Sequence, residues 1–555
     1  MAPQASTTES ADAIAALPAL AQDERAALSR SSSADDKEKL DSATASSAEL
    51  DTLPAGTSAD GSYNPAVVGH PWRVKGPAIF CVLFLTLGSN FASSSLSPLK
   101  SVLRKELKIN NAKYASLDTA DSLINTIFPI LSGALIDYYG PFRLAVWASA
   151  VILVGAIITG VGASVGSYPL LLFGQITSGF GSTTIETAQS KIYAWMTLGS
   201  SMQGFTFALD ISIGRVWNLA GKLSSVPIME GTGSWTWTIW VSTIMCATSF
   251  AITVVIALYS RTFPASAQVP TGRQAVVAAR ARGEKAGGYA QRWREDRKFF
   301  FTSILAIPAC FWIMDISQLF QSGAVSAYTS NLADAIKVTR NASLYTAGWN
   351  ASVAQVIPIV LTPCLGIFFD RFGSRMHFVT WTASLYVIVF ALLAYTDVHP
   401  LVPSILGSLA LATNALPWIS SIPLLVPDQA HLGTAYGVYK ALNNCGSVVV
   451  NVASGAIQDQ ATPGKNEYNG VFAFLIVIKG LDVLYGLMYW RFDRKYLGGV
   501  LDASDRKLRE MEAEATYEER AVGLRAPIRR VTQVALATVA AMIVVAWTLY
   551  LYYST

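Results

Sequence analysis

Charge is what this chain has least of. Asp, Glu, Lys and Arg make up 14% of its 555 residues, against about 25% in a soluble protein. At roughly 150 residues per domain, the length would suit three or four soluble domains. So little charge cannot cover their surfaces. What charge there is lies mostly in the first 70 residues, after Arg261 and after Arg491. The stretches between are apolar runs of about 20 residues, the length that crosses a bilayer. The composition predicts an all-α, multi-pass membrane protein with the lipid bilayer as its first partner.

Cysteine and histidine are also scarce. Cys81, Cys246, Cys310, Cys364 and Cys445 all fall in apolar runs, without paired spacing or neighbouring histidines. That excludes a disulfide framework and a zinc site. His70, His377, His399 and His431 fall at ends or in loops, so any proton coupling falls to carboxylates. No Walker, kinase or hydrolase signature is present. Neither an enzyme nor ATP-driven transport is expected, and no metal or cofactor. The net charge of +4 comes from basic residues beside membrane segments, where topology already accounts for them, so nucleic acid is not an expected partner. No apolar run begins before about Pro77, which leaves targeting to the first membrane helix.

Residues 1–70 are rich in Ser, Ala, Asp and Glu and poor in aromatics. Such a segment cannot bury enough apolar surface to offset its ordering entropy. It reads as a disordered acidic tail, and its serine run, Ser31 to Ser33, as solvated. Six apolar runs follow near 76–95, 115–136, 143–163, 168–192, 199–222 and 235–259, forming a first bundle over 71–260. A basic connector over 261–298 marks a cytoplasmic loop. Six more runs, near 299–322, 345–369, 376–396, 401–424, 432–456 and 468–490, form a second bundle over 299–492. A polar, cytoplasmic stretch over 493–530 leads to a thirteenth run, Val531 to Tyr553, expected to span because it has no charged face. The basic loop holding Lys100, Arg104, Lys105, Lys108 and Lys113 opposes this topology, but the connector and the segment from Arg491 carry more charge and decide it.

The two bundles repeat a motif. The second run ends in GALIDYYGPFR, with Gly133, Asp137, Gly140 and Arg143; the eighth ends in GIFFDRFGSR, with Gly366, Asp370, Arg371, Gly373 and Arg375. A glycine one turn before an aspartate lets a neighbouring helix approach, and the carboxylate can accept from that helix's amino end. Asp137, Arg143, Asp370, Arg371 and Arg375 are therefore candidate conformational latches. Two six-helix halves, each with this Gly-x-x-x-Asp loop, resemble the major facilitator superfamily. The second copy fits closely, whereas the first has Tyr138 where the family usually has arginine.

A narrower resemblance lies in LLVPDQAHLGTAYGVYKALNNCG, Leu424 to Gly446, which is similar to the lysosomal dipeptide-transporter branch of that superfamily, with one extra residue between Asp428 and Leu432. The resemblance covers about 75–490. It implies a transporter of dipeptides or amino acids in an endolysosomal or vacuolar membrane, and an accessory membrane glycoprotein as partner. It also implies that Arg215 holds a peptide carboxylate. The branch's acidic residue in the fourth helix falls on Thr183 here, with Glu186 one turn away.

Ionisable groups inside the apolar runs are costly and should face a cavity or a partner. Glu186, Asp210, Arg215, Asp315 and Lys440 are candidate substrate-binding residues, together with Thr183. A guanidinium matches a carboxylate in a bidentate way that lysine cannot; the alternative for Arg215 is an ion pair with Asp210 or Glu186. Lys479 and Asp482, three apart on one helical face, read as a structural pair. Gly174, Gly179, Gly181, Gly433 and Gly437 read as close helix packing, and Pro129, Pro308, Pro358, Pro363 and Pro417 as bends around a cavity. Of the sequons at Asn341 and Asn350, the first falls in a loop outside the membrane. The predicted activity is secondary transport by alternating access at a site between the halves. The substrate is a dipeptide or amino acid, or alternatively another organic anion or a sugar moved with protons at the plasma membrane. A non-transporting receptor would have no reason to keep polar residues in the cavity.

Overall fold

The structure, a computed structural model, describes residues 72–108, 117, 123–198, 202–263, 268–269, 271–274, 303–426, 431–462, 464–514 and 527–554. The acidic tail, most of the connector, and Pro427 and Asp428 of the narrower motif lie outside the described residues.

Every regular element among the described residues is helical. In the first half these are α1 (Trp72–Ser95, with a turn at Leu83–Thr86), α2 (Phe128–Tyr139), α3 (Pro141–Val165), α4 (Tyr168–Met196), α5 (Gln203–Thr232) and α6 (Thr236–Tyr259). The second half holds α7 in two pieces, Ala309–Asp315 and Gln318–Arg340. It continues with α8 (Leu344–Phe372), α9 (Arg375–Tyr395), α10 (Leu401–Leu425), α11 (Leu432–Asp459) and α12 (Asn469–Phe492). A short polar helix, α13 (Asp505–Glu514), precedes α14 (Arg529–Ser554).

Among the described residues, eight helices are long and apolar enough to cross a membrane: α1, α3, α6, α8, α9, α10, α12 and α14. Of those left out, α2 is short in its described part. The others, α4, α5, α7 and α11, carry the polar side chains of the interior, among them Glu186, Asp210, Gln318 and Lys440. Their hydropathy is low because they face protein and a cavity rather than lipid. The same effect hid the length of α7. Its run was expected to end near 322, but the helix continues through a polar stretch to Arg340, and Asn341 follows as its left-handed cap at φ 49°. Similarly, α5 runs past the expected 222 to Thr232.

Within the first half α3 lies along α4 and α6, and α1 along α5 and α6; within the second, α9 lies along α12 and α10, and α7 along α11. The halves meet at two seams, α2 against α11 and α5 against α8. Glycines make both seams close. A Cβ on Gly133 would lie 2.4 Å from the Gly433 carbonyl oxygen, and one on Gly366 would lie 2.6 Å from the Ala208 Cβ.

After α12 the chain folds back against the loop between α8 and α9. Asp493 accepts from the amides of Leu501 and Asp502, while Asp502 accepts from those of Ser374 and Met376. The last helix, α14, packs on α11 and the first piece of α7. Its Trp547 Nε1 donates to Thr126 Oγ1, just ahead of α2, at 3.1 Å, so α14 touches both halves.

Candidate transport cavity and its latches

Both repeat aspartates cap a helix of the opposite half. Asp137, at the end of α2, accepts from the Gly433 amide (2.8 Å) and from the amide and hydroxyl of Thr434 (2.7 and 2.6 Å), at the start of α11. Asp370, at the end of α8, accepts from the amides of Gly204 (2.6 Å) and Phe205 (2.8 Å), at the start of α5. The first N–H groups of a helix have no partner within it, and its dipole favours a negative charge there. Each carboxylate therefore supplies what the facing helix lacks. Glycine is required at both contacts, since a Cβ on Gly433 or on Gly204 would lie 2.6 Å from the aspartate's Oδ1. Gly433, expected to serve packing alone, thus also admits the carboxylate.

The charges around the two latches differ from those expected. Asp137 is fully buried and pairs with Lys191 of α4 at 2.5 Å, also fully buried. Lys191 escaped the sequence reading because it stands near the end of an apolar run; a lone lysine there was the available signal. Arg143 touches neither latch and lines a separate pocket. Arg371 is exposed, with its guanidinium 5.7 Å from the Phe372 ring. Arg375 is buried and committed to the returning chain, donating to the carbonyls of Leu501 and Ala503 and pairing with Asp505 at 3.5 Å. Of the two arginines expected to complete the second latch, Arg371 is exposed and Arg375 is spent on the C-terminal segment.

The latches lie where α2 and α8 end and α5 and α11 begin, on the side of the molecule that carries the connector. They tie the two halves together on that side. Above them, between the halves, is a cavity of about 540 Å³. Glu186 from α4 and Lys440 from α11 meet across it at 2.5 Å. Asp210 on α5 accepts from Gln189 Nε2 at 2.6 Å and from the Tyr193 hydroxyl at 3.3 Å. Arg215, one and a half turns along α5, donates from Nη1 to Gln355 Oε1 of α8 at 3.1 Å, while its Nε has no partner. Among the described residues Arg215 has no ion pair, so neither Asp210 nor Glu186 neutralises it. Sequence reasoning missed Gln189, Gln355, Asn90, Asn218 and Asn443 on this wall; amides inside apolar runs were the signal.

Two candidates lie off the cavity. Thr183 is buried and donates to Asn125 Oδ1 at 2.9 Å. Three residues of helix separate it from Glu186, a rotation of about 60°, which turns it towards α2. Asp315 is buried in the first piece of α7 with its Oδ2 unpartnered, and it does not line the cavity. Lys479 and Asp482 pair at 3.0 Å deep in the second half. Lys479 also donates to the Gln321 carbonyl and stands 5.2 Å over the Tyr386 ring.

Comparison with known proteins agrees with this architecture. The family model described as Major Facilitator Superfamily matches residues 314–555. The human lysosomal dipeptide transporter MFSD1 is 21% identical over 453 residues, covering 79% of this chain and 90% of its own. Its Danio rerio counterpart is 26% identical over 441 residues, covering 77% and 89%. Among solved structures, the E. coli fucose:proton symporter FucP superposes with a TM-score of 0.52 at 15% identity, covering 74% of this chain and 99% of its own. The proton:xylose symporter XylE gives 0.59 at 13%, covering 80% and 99%. At these identities the solved structures bear on the fold alone. The fold is theirs: the chain is an all-α, multi-pass membrane protein with the major facilitator fold, its second half matches the family model, and over most of its length it resembles the lysosomal dipeptide transporter MFSD1.

Proposed function

We propose that the chain carries small zwitterionic solutes of the dipeptide class by alternating access across an endolysosomal or vacuolar membrane. The observation that carries this reading is Arg215, a guanidinium on the cavity wall with an unpartnered Nε and no ion pair among the described residues. It suits a carboxylate, which a guanidinium binds as a fork. Asp210 lies five residues earlier on the same wall, about 7.5 Å along the helix axis. An extended dipeptide spans about 7 Å, so its amino end reaches Asp210 and Glu186 while its carboxylate meets Arg215. The resemblance to MFSD1 supports the same substrate class, and an accessory membrane glycoprotein belongs to this reading as a partner that co-purification of the full-length chain would test.

The substrate test is counterflow in proteoliposomes with labelled dipeptides, amino acids, monocarboxylates and sugars. Arg215→Ala removes the half-buried partner of the substrate's carboxylate, a loss on the order of 2 to 5 kcal/mol, so dipeptide affinity should fall at least tenfold. Glu186→Gln should impair substrates with a free amino group and spare amino-blocked ones. Uptake of sugars in preference to every charged solute would refute the zwitterion reading.

A second reading, proton-coupled movement of another organic anion, is favoured by the setting of Asp210, which accepts from two neutral donors, Gln189 and Tyr193. Under it, an imposed pH gradient drives uptake in the parent and not in Asp210→Asn.

A further inference from the structure

Outside the transport cavity, the connector side of the first half carries a pocket of about 930 Å³ that transport does not explain. It lies between the start of α3, the end of α6 and residues 268–274, and three arginines line it: Arg143, Arg261 and Arg273. All three are exposed. Among the described residues none has an ion pair, and no acidic residue lines the pocket. Three like charges that face one space, with no counterion among the described residues, repel each other, an arrangement that a bound anion relieves. The first turn of α3 opens at the same place. Pro141 occupies its first position after Gly140, so the free amides and the positive end of a 25-residue helix add to the arginines' field.

The surroundings say what kind of anion. The pocket runs into the outward faces of α3 and α6, which are apolar and exposed. Trp147 is 72% exposed and itself lines the pocket. Val154 and Val161 continue its face up α3, while Leu258 and Val255 lead up α6. From Trp147 to Val161 the helix rises about 21 Å, more than the half-thickness of about 15 Å of a hydrocarbon core of about 30 Å. A soluble phosphate would use the arginines alone, although the pocket opens directly onto a face that meets acyl chains in the bilayer. A lipid uses both.

We propose that this pocket binds the headgroup of an anionic phospholipid from the leaflet on the connector side, with Arg143, Arg261 and Arg273 holding its phosphate and its acyl chains lying along α3 and α6. Arginine forks suit phosphate oxygens, and Trp147 sits where aromatic side chains anchor at a membrane interface. The site is separate from the transport cavity and does not depend on which solute is carried.

Native mass spectrometry of the detergent-solubilised full-length protein tests this, with dioleoyl phosphatidylinositol phosphate, dioleoyl phosphatidylcholine and water-soluble inositol phosphate as probes. The parent should retain one anionic lipid at a concentration at least tenfold below that needed for phosphatidylcholine. The triple variant Arg143→Gln, Arg261→Gln, Arg273→Gln should lose that preference, and Arg494→Gln, a basic residue stacked on Trp490 in the other half, should keep it. Tryptophan quenching by the same lipid with brominated chains should drop in Trp147→Phe, which leaves every arginine in place and so answers the case in which the triple variant misfolds. Anionic lipid bound equally by the parent and a folded triple variant would overturn the proposal. So would inositol phosphate bound as tightly as the lipid, which would make the ligand a soluble phosphate, or quenching unchanged by Trp147→Phe.

Discussion

The two latches occupy equivalent places in the internal repeat and make the same contact, an aspartate on the amino end of a helix from the other half. They are loaded differently. Asp137 receives three hydrogen bonds from α11 and a fully buried ammonium from its own half. Asp370 receives two amide hydrogen bonds and, among the described residues, no ion pair within 4 Å. Its neighbour Arg375 instead binds the chain that returns after α12. The first latch is thus self-contained, whereas the second is joined to the C-terminal segment. A rocking motion must break both seams, so the comparison bears directly on which half-to-half contact limits opening of the connector side.

Lys191→Met should have the largest effect. Removing one partner of a buried pair leaves the other charge stranded, at a cost of about 3 to 5 kcal/mol, read as a fall in thermal stability and in yield of folded protein. Asp137→Asn strands Lys191 instead and should be comparably severe; a mild phenotype in both would show that the first latch is not what holds α2 to α11.

Asp370→Asn should matter less for stability and more for conformation. It weakens two charge-assisted bonds, each of about 1.5 to 3 kcal/mol, without stranding a partner ion. Labelling of cysteines placed on either face should show the connector side opening, and an effect on stability equal to that of Asp137→Asn would erase the asymmetry.

Asp505→Asn should loosen the returning segment from Arg375. Limited proteolysis over residues 493–514 should quicken while the Asp137 latch, probed by the melting of the whole protein, changes little. Trp547→Phe, which removes one hydrogen bond from α14 to Thr126, should cost about 1 kcal/mol. Its melting point should shift by a degree or two, and a larger shift would make α14 an integral part of both halves rather than a helix laid against them.

Much of the fold was legible from apolar runs alone, because a bilayer demands a fixed length of apolar helix whatever its neighbours. The runs failed where helices turn from lipid to protein. The extension of α7 to Arg340 and of α5 to Thr232 is written in polar residues that no hydropathy argument assigns to a membrane helix. The cavity was half legible. Glu186, Asp210, Arg215 and Lys440 stood out as charges in apolar runs and come together around one cavity, whereas Gln189 and Gln355 are uncharged and passed unnoticed. Thr183 and Asp315 failed for a different reason. Position along a helix does not fix the face presented to a cavity, and a rotation of about 60° carries Thr183 onto Asn125.

The repeat motif shows where the boundary falls. Sequence placed an aspartate after a glycine at the end of α2 and again at the end of α8, and that spacing already implied a close seam and a carboxylate free to cap a facing helix. Which helix each would cap, and which cation would stand beside it, is set by contacts between residues hundreds of positions apart, such as Asp137 with Gly433 and Asp370 with Gly204. Local chemistry is written in the chain's order. Pairing of charges across a bundle is decided by packing, because in a low-dielectric interior the nearest counter-charge in space governs the energy, and Arg375, five residues from Asp370 in sequence, serves the C-terminal segment instead.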